Sequence, residues 1–409
     1  MSPTEYTPTI AVLREDKTPP DARVALTPRQ VAKLRKAGYD IVVQPSPHRC
    51  YTDEEYRKLG IPLQEDLSDR ALLLGIKEVP IDRLLAGKTY CNFAHVAKFQ
   101  AYNQPLLRAL LDKGITHIDY EYLRDDAGKR LIAFGYWAGM VGAHNGLWAY
   151  GKRTGQFTLP RLHELYDYAA AKAVYAKLKL PKLKVVLTGT GRVGAGAARV
   201  LTDAGLRRVS AAEFLEETED AVFTQLTIEK YARHQSGKAV VRKHFYKHSE
   251  EYVSTFLPYA AVADVFVNGI YWDGKAPAFF TREDMATESF RIKTIADVTC
   301  DIAPLSSVPS TLKASTIADP VFGFDPQTGE EVAPYRNAID VMSIDNLPSE
   351  LPRDASKAFG DILLSTILPE FDKPQSKILD GATVTRAGEL GEQFTYLSDF
   401  AAGKLQAST

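Results

Sequence analysis

Cysteine is scarce in this sequence of 409 residues, and neither sign of charge is in excess. The three cysteines, Cys50, Cys91 and Cys300, are odd in number and far apart, which excludes a disulfide framework and zinc-ligand spacing. A reducing, cytoplasmic compartment is the expectation. Lys and Arg number 50 against 51 Asp and Glu, a net charge of −1, so the basic excess of a nucleic-acid binder is missing. No apolar run approaches the roughly 18 residues of a membrane span. Met1 to Tyr6 lacks a basic segment leading into an apolar core, so a secretory signal is not expected. Repeats and low-complexity tracts are absent too. What remains is an ordinary globular composition, long enough for two or three domains at roughly 100–200 residues each.

The first 130 or so residues alternate short apolar runs with helical patterns. Thr27-Pro28 reads as an N-cap followed by proline at the first helical position, and Gly38 closes that helix. Strands are expected at Tyr39 to Val43, Ala71 to Ile76, Tyr90 to Ala94 and His117 to Glu121, with a helix at Gln104 to Lys113. This alternation predicts a parallel sheet covered on both faces, with Lys77, His95 and Glu121 together at its carboxyl edge, where open α/β sheets bind ligands. A helix rich in small residues, Gly135 to Leu147, leads into a second part. There, strands are expected at 184–188, 208–212, 262–268 and 294–298, and helices at 355–368 and 386–402. The fold class is α/β, with two Rossmann-like, doubly wound parallel-sheet domains. The expected division is 1–136 with 347–409 as a substrate domain, and 137–346 as a dinucleotide-binding domain. The latter carries an insertion at about 220–259, read as a loop with one or two helices.

The clearest motif is Gly189-x-Gly191-x-x-Gly194, preceded by an apolar strand and followed by an amphipathic run. The first glycine makes the turn, the second lets backbone approach a pyrophosphate, and the third lets helix and strand pack closely. Free N–H groups at the helix start favour the phosphate charge. Glu213, 19 residues beyond Gly194, is expected at the end of the next strand. There it would accept hydrogen bonds from the ribose and repel a 2′-phosphate, favouring NAD over NADP; Glu216 and Glu217 are alternatives for the role.

A second set is Lys77, Glu78, His95 and Glu121. Competition between desolvation and neighbouring carboxylates can bring an amine into the range of a working base, and imidazole titrates there without help. A third set is cationic: Arg14, Lys17, Arg23, Lys98, Lys129 and Arg130 would suit a substrate with several carboxylates. No metal site is expected.

These residues carry a resemblance. Leu13-Arg14-Glu15-x-Lys17 and Asp21-Ala22-Arg23-Val24-Ala25-Leu26-Thr27-Pro28 resemble the N-terminal signature of the alanine dehydrogenase and transhydrogenase superfamily. Gly75 to Pro80, Phe93-Ala94-His95, Lys98-x-Gln100, Asp119-Tyr120-Glu121, Ala133-Phe134-Gly135, Asn268 to Tyr271, Asp297-Val298 and Ser343 to Arg353 resemble NAD-dependent, lysine-forming saccharopine dehydrogenases. The resemblance implies two domains with the active site in the cleft between them, and reversible oxidation of a secondary amine to give lysine and 2-oxoglutarate. It implies Lys77 as proton acceptor, His95 as acid/base, and Glu78 and Glu121 as their tuning carboxylates. Arg14, Lys98, Gln100, Arg130 and Phe134 would line the substrate pocket. Lys129, Arg192, Val193, Glu213, Tyr271, Val298, Asp345, Asn346 and Leu347 would join the three glycines around the dinucleotide. Val193 and Gly269 stand where eukaryotic relatives have cysteines, so no disulfide links them. Asp319 to Phe324 resembles lysine–oxoglutarate reductases, which are usually NADPH-linked; NADP and the saccharopine-forming direction therefore stay open. A related opine-type enzyme and a non-catalytic cofactor-binding protein are the alternatives. The expected partner is a small molecule, not nucleic acid or membrane, and the oligomeric state is left open.

Overall fold

The computed structural model describes residues 7–18 and 21–404. The N-terminal hexapeptide, read above for a signal, lies outside the described residues. The chain forms two compact units, Met1–Ala133 with Pro352–Thr409, and Phe134–Leu351. The sequence placed these breaks at 136/137 and 346/347.

The first unit is built on five parallel strands in the order β2-β1-β3-β4-β5: β1 (Ile10–Val12), β2 (Ile41–Val43), β3 (Leu72–Lys77), β4 (Thr89–Phe93) and β5 (Thr116–Asp119). β1, β2 and nearly all of β3 to β5 are buried; β1 and β2 are wholly apolar, while β4 and β5 also bury Asn92, His117 and Asp119. An antiparallel hairpin, Thr383–Arg386 and Glu389–Leu390, completes the sheet beside β5. This corrects the helix expected at 386–402. Ala387 and Gly388 have φ of 49° and 93°, a two-residue turn that a helix cannot contain. Only Ser398–Ala401 is α-helical there.

The second unit holds an eight-stranded sheet. The strands are β6 (Leu183–Thr188), β7 (Arg207–Arg208), β8 (Ala221–Leu226), β11 (Val265–Asn268), β12 (Thr294–Asp297), β13 (Phe322–Asp325), β14 (Glu330–Val332) and β15 (Ile339–Met342), in the order β14-β13-β15-β12-β11-β6-β8-β7. β9 (Ala232–His234) and β10 (Tyr252–Ser254) form a separate antiparallel pair. Both large sheets are mixed rather than wholly parallel, because β13 pairs antiparallel with both β14 and β15, and the hairpin of the first unit pairs antiparallel with β5.

Two further corrections concern this unit. The expected insertion begins too early, since Ala221–Leu226 is a strand inside the sheet, beside β6. Thr224 and Gln225 interrupt its apolar run, yet Thr224 is buried. The strand expected at 208–212 is only Arg207–Arg208, because Ser210 caps a short helix, Ala211–Leu215, by accepting from the Glu213 N–H.

The helices Gly135–Thr154 and Arg192–Asp203 pack closely at Gly139 and Gly196, while Gly142 and Gly146 let the first of them lie against Val298 and Ala296. A Cβ on Gly139 would lie 1.9 Å from the Val193 carbonyl oxygen, and one on Gly196 would lie 1.9 Å from that of Tyr136. Among the described residues no helix is long and apolar enough to cross a membrane.

Candidate active site

β3, β4 and β5 end level with one another, with Lys77 opposite Phe93 and Asn92 opposite Asp119. Their exits carry the candidate acid/base residues. Between Leu74 and Lys77 the pairing with β4 slips by one residue, a bulge that re-aims the strand end. On the other side β1 has already stopped at Val12, and Glu15 replaces it. Its two carboxylate oxygens accept the N–H groups of Ile76 (2.7 Å) and Lys77 (2.8 Å). Burial, then the charge of Asp21, pushes the Glu15 carboxyl up to about 8.

Lys77 sits largely out of water. Burial and then the nearby Arg23 guanidinium push its amine below the ordinary lysine range, while Asp21 and Glu78 pull it back. Arg23 and Asp21 form a buried pair, 2.6 Å apart at their closest atoms. Glu78 is engaged by Lys17 at 2.6 Å. Lys77 is therefore framed by balanced charges rather than by one carboxylate.

His95 follows β4 with φ of 56°, a left-handed conformation uncommon for a residue with a side chain. Asp119 holds it there: one carboxylate oxygen accepts the His95 N–H at 3.0 Å and the other the Glu121 N–H at 2.9 Å. One buried side chain at the end of β5 thus fixes both the imidazole and its carboxylate partner. The His95 Nδ1 lies 2.7 Å from the Glu121 Oε2. Lys98 reaches the same oxygen at 2.8 Å and Arg130 reaches Oε1 at 2.5 Å. Burial alone would raise the Glu121 carboxyl, but His95, Lys98 and Arg130 outweigh it and hold it far below its usual range. An ionised carboxylate only accepts, so the His95 Nδ1 carries a proton and donates it to Glu121.

Lys77, Glu78, His95, Glu121, Lys98 and Arg130 therefore all belong to this strand-end region. Gln100 is beside them, its Oε1 accepting from Tyr102 and from Asn103, which also donates to the His95 carbonyl. Arg14 is directed elsewhere, to Asp16 and Glu65 at 3.0 and 2.7 Å. Lys129 is exposed at a turn held by Asp125. Glu15, Asp21 and Asp119 are site residues that the sequence motifs contain but do not single out. For Glu15 and Asp119 the signal is an acid at or just beyond the end of a buried strand.

In the second unit the glycine turn fits a dinucleotide. Gly189 has φ of 95°, and a Cβ there would lie 2.3 Å from the Gly269 carbonyl oxygen. A Cβ on Gly194 would lie 2.0 Å from the Gly189 carbonyl oxygen, so helix and turn touch directly. At Gly191 a Cβ would meet nothing within 4 Å. That open approach, at the start of the helix Arg192–Asp203, is what a pyrophosphate needs. Arg192 is exposed at the helix start, while Val193 packs on Gly135 and Gly269. Tyr271 borders the same turn. Val298 abuts Gly142, Asp345 is exposed and Asn346 half-buried. The Leu347 side chain is buried in the core, so only its backbone is available to a ligand. Phe134 precedes the helix Gly135–Thr154 and is half-buried. Glu213 is not at a strand end. It lies in the first turn of a short helix and pairs with Arg207 at 2.6 Å, on the outer side of the sheet.

The three cysteines are free. Among the described residues, the groups spaced for a metal are His234, His244 and Glu251, and His248, Glu250 and Glu251. The ring nitrogens of His234 contact Glu251 and Ser236, and His244 Nδ1 contacts the Tyr252 hydroxyl.

Residues 11–141 match the family described as alanine dehydrogenase/PNT, N-terminal domain. The chain is 30% identical over 391 residues to saccharopine dehydrogenase [NAD(+), L-lysine-forming] of Emericella nidulans, covering 90% of this chain and 93% of that one. The chain belongs to the saccharopine dehydrogenase family. It is also 30% identical over 447 residues to the mitochondrial alpha-aminoadipic semialdehyde synthase of Rattus norvegicus, covering 96% of this chain and 48% of that protein. The chain spans about half the length of such synthases. An L-alanine dehydrogenase structure superposes with a TM-score of 0.65 at 17% identity, covering 96% of this chain and 99% of that one. At that identity the likeness shows the two-domain α/β fold.

Proposed function

We propose that this chain interconverts saccharopine with L-lysine and 2-oxoglutarate, using NAD. The observation that carries the reading is the His95–Glu121 contact at the same strand ends that present a desolvated Lys77. Family membership supports it, since the relative of similar length is named for that reaction and cofactor.

A dinucleotide held at the turn of Gly189, Gly191 and Gly194 would supply the hydride acceptor for the glutamyl Cα–H of saccharopine. The residues of this chain handle the protons. Lys77, its charged form disfavoured by burial, accepts the proton of the secondary amine. His95 uses its Nε2 lone pair to activate water toward the imine, then returns the proton as the carbinolamine collapses to lysine and 2-oxoglutarate. Glu121 holds the imidazole and stabilises it when charged, a carboxylate–histidine arrangement of the kind used in hydrolases. Lys98, Gln100 and Arg130 surround the same point and suit the substrate's carboxylates. Gly189, Gly191 and Gly194, with Arg192 and Tyr271, form the dinucleotide turn. The three free cysteines support a reducing, cytoplasmic compartment.

The test is saccharopine-dependent formation of NADH with lysine identified as product. A panel of other amine and keto-acid pairs would expose a different opine substrate.

A further inference from the structure

Histidines and a carboxylate converge in the segment that follows β8. His234 ends β9, His244 lies in a short helix, Arg242–Phe245, and Glu251 immediately precedes β10. Their spacing in the sequence matches no metal motif, because the three come from separate elements that the antiparallel pairing of β9 with β10 brings together. One ring nitrogen of His234, one of His244 and a carboxylate oxygen of Glu251 all lie within 4.8 Å of one another. His234 Nε2 and Glu251 Oε2 are 3.0 Å apart. A tetrahedral zinc holds nitrogen and oxygen ligands about 2.0–2.2 Å away, which sets them about 3.3–3.5 Å from each other. Small side-chain shifts bring the three to that spacing.

The other ring nitrogens are already tied down. His244 Nδ1 lies 3.0 Å from the Tyr252 hydroxyl, and His234 Nδ1 lies 2.9 Å from the Ser236 hydroxyl. Each hydroxyl can accept the ring N–H and leave Nε2 to an ion, as the partners of ligating histidines do. The Ser236 backbone N–H, 3.1 Å from the same His234 nitrogen, would then turn to water, to which Ser236 is exposed. His248 is within reach as a fourth donor. It follows His244 by one helical turn, their ring centres are 4.8 Å apart, and its Nδ1 lies 4.0 Å from Glu251 Oε1. His234 is buried and His244 and Glu251 are half-buried, unlike a solvated surface cluster. Imidazoles with a single carboxylate suit zinc, whereas magnesium and calcium take shells of oxygen.

We infer that His234, His244 and Glu251 bind a zinc ion. The ion would cross-link β9, β10 and the helix between them, where a pair of three-residue strands has little stability of its own.

The experiment is calorimetric titration of the full chain with zinc after treatment with a chelator, with cobalt(II) added in parallel as a spectroscopic probe. One zinc per chain should bind, and cobalt should give the intense visible absorption of a four-coordinate site. His244→Gln and Glu251→Gln should each weaken zinc binding by at least about tenfold and abolish the cobalt bands. Ser236→Ala, which removes only an exposed hydroxyl, should weaken it by about tenfold. Circular dichroism establishes which variants fold, and none of these readouts depends on turnover. No zinc bound by the native chain, or unchanged affinity in the folded ligand variants, would overturn the site. Should neither ligand variant fold, unchanged affinity in Ser236→Ala would overturn it.

Discussion

The imidazole of His95 and the carboxylate of Glu121 meet at 2.7 Å because Asp119 accepts the backbone N–H of each. Glu121→Gln replaces a pure acceptor with an amide and removes a charge shared by Lys98 and Arg130. Turnover should fall on the order of tenfold to hundredfold, less than the roughly 10²–10⁴ expected on removing the imidazole itself. Steady-state kinetics of Glu121→Gln beside His95→Ala checks this order. A Glu121→Gln variant as active as the native chain would remove Glu121 from the account.

Lys77 should be needed for turnover and costly to folding. Burial, then Arg23, places its pKa below that of the unfolded chain. The folded state therefore binds fewer protons there, and the charged amine destabilises it below the folded pKa, with stability recovering as pH rises toward the unfolded value. Lys77→Met should cut kcat by about 10²–10⁴ and raise Tm at neutral pH. Kinetics and a melting curve on one preparation test both halves. Unchanged turnover with a lowered Tm would contradict both.

Glu15 makes the opposite pH prediction. Its carboxyl is raised to about 8 by burial and then Asp21. A raised acid contributes stability that is fully present below its unfolded pKa and is lost as pH rises through the folded one. The stability difference between the native chain and Glu15→Gln should therefore shrink between about pH 4.5 and 8. Denaturant midpoints at several pH values measure it, and a difference that grows with pH would refute the assignment.

The glycines of the turn should separate by role. Gly194→Ala places a methyl group 2.0 Å from the Gly189 carbonyl oxygen, so it should destabilise the unit by at least about 1–3 kcal/mol. Gly191→Ala meets no protein atom within 4 Å. It should fold normally and still weaken NAD binding, because the methyl group occupies the path to the pyrophosphate. Melting curves and NAD titration of both variants distinguish the two. Normal NAD affinity in Gly191→Ala would show that the dinucleotide does not approach there.

β2 to β5 of the first unit were legible because they are buried, mostly apolar segments set between helical patterns, whereas β1 is only three residues, Ile10–Val12, too short to stand out. The glycine turn was legible because its chemistry is local. β8 was not, since Thr224 and Gln225 break its apolar pattern and only the sheet reveals that it lies beside β6. The misplacement of Glu213 follows directly, for counting residues after Gly194 assumes that the next strand is the neighbour. The hairpin at 383–390 was hidden by helix-forming residues around Ala387 and Gly388, whose positive φ values decide the turn. At the site, Lys77, His95 and Glu121 could be placed from their strand ends. The partners that fix them, Glu15 and Asp119, act on backbone N–H groups and leave no periodic signal. Arg14 read as a substrate cation, but it is already matched by two acids.

The central claim is proton handling by Lys77 and His95 in saccharopine oxidation, and a product-resolved assay reaches it most directly. Native chain, Lys77→Met and His95→Ala would be incubated with saccharopine and NAD, and lysine, 2-oxoglutarate and NADH quantified. The account predicts equal amounts of the three from the native chain and losses of about 10²–10⁴ in rate from each variant, with NAD affinity retained. NADH formation without lysine, or full activity in either variant, would contradict it.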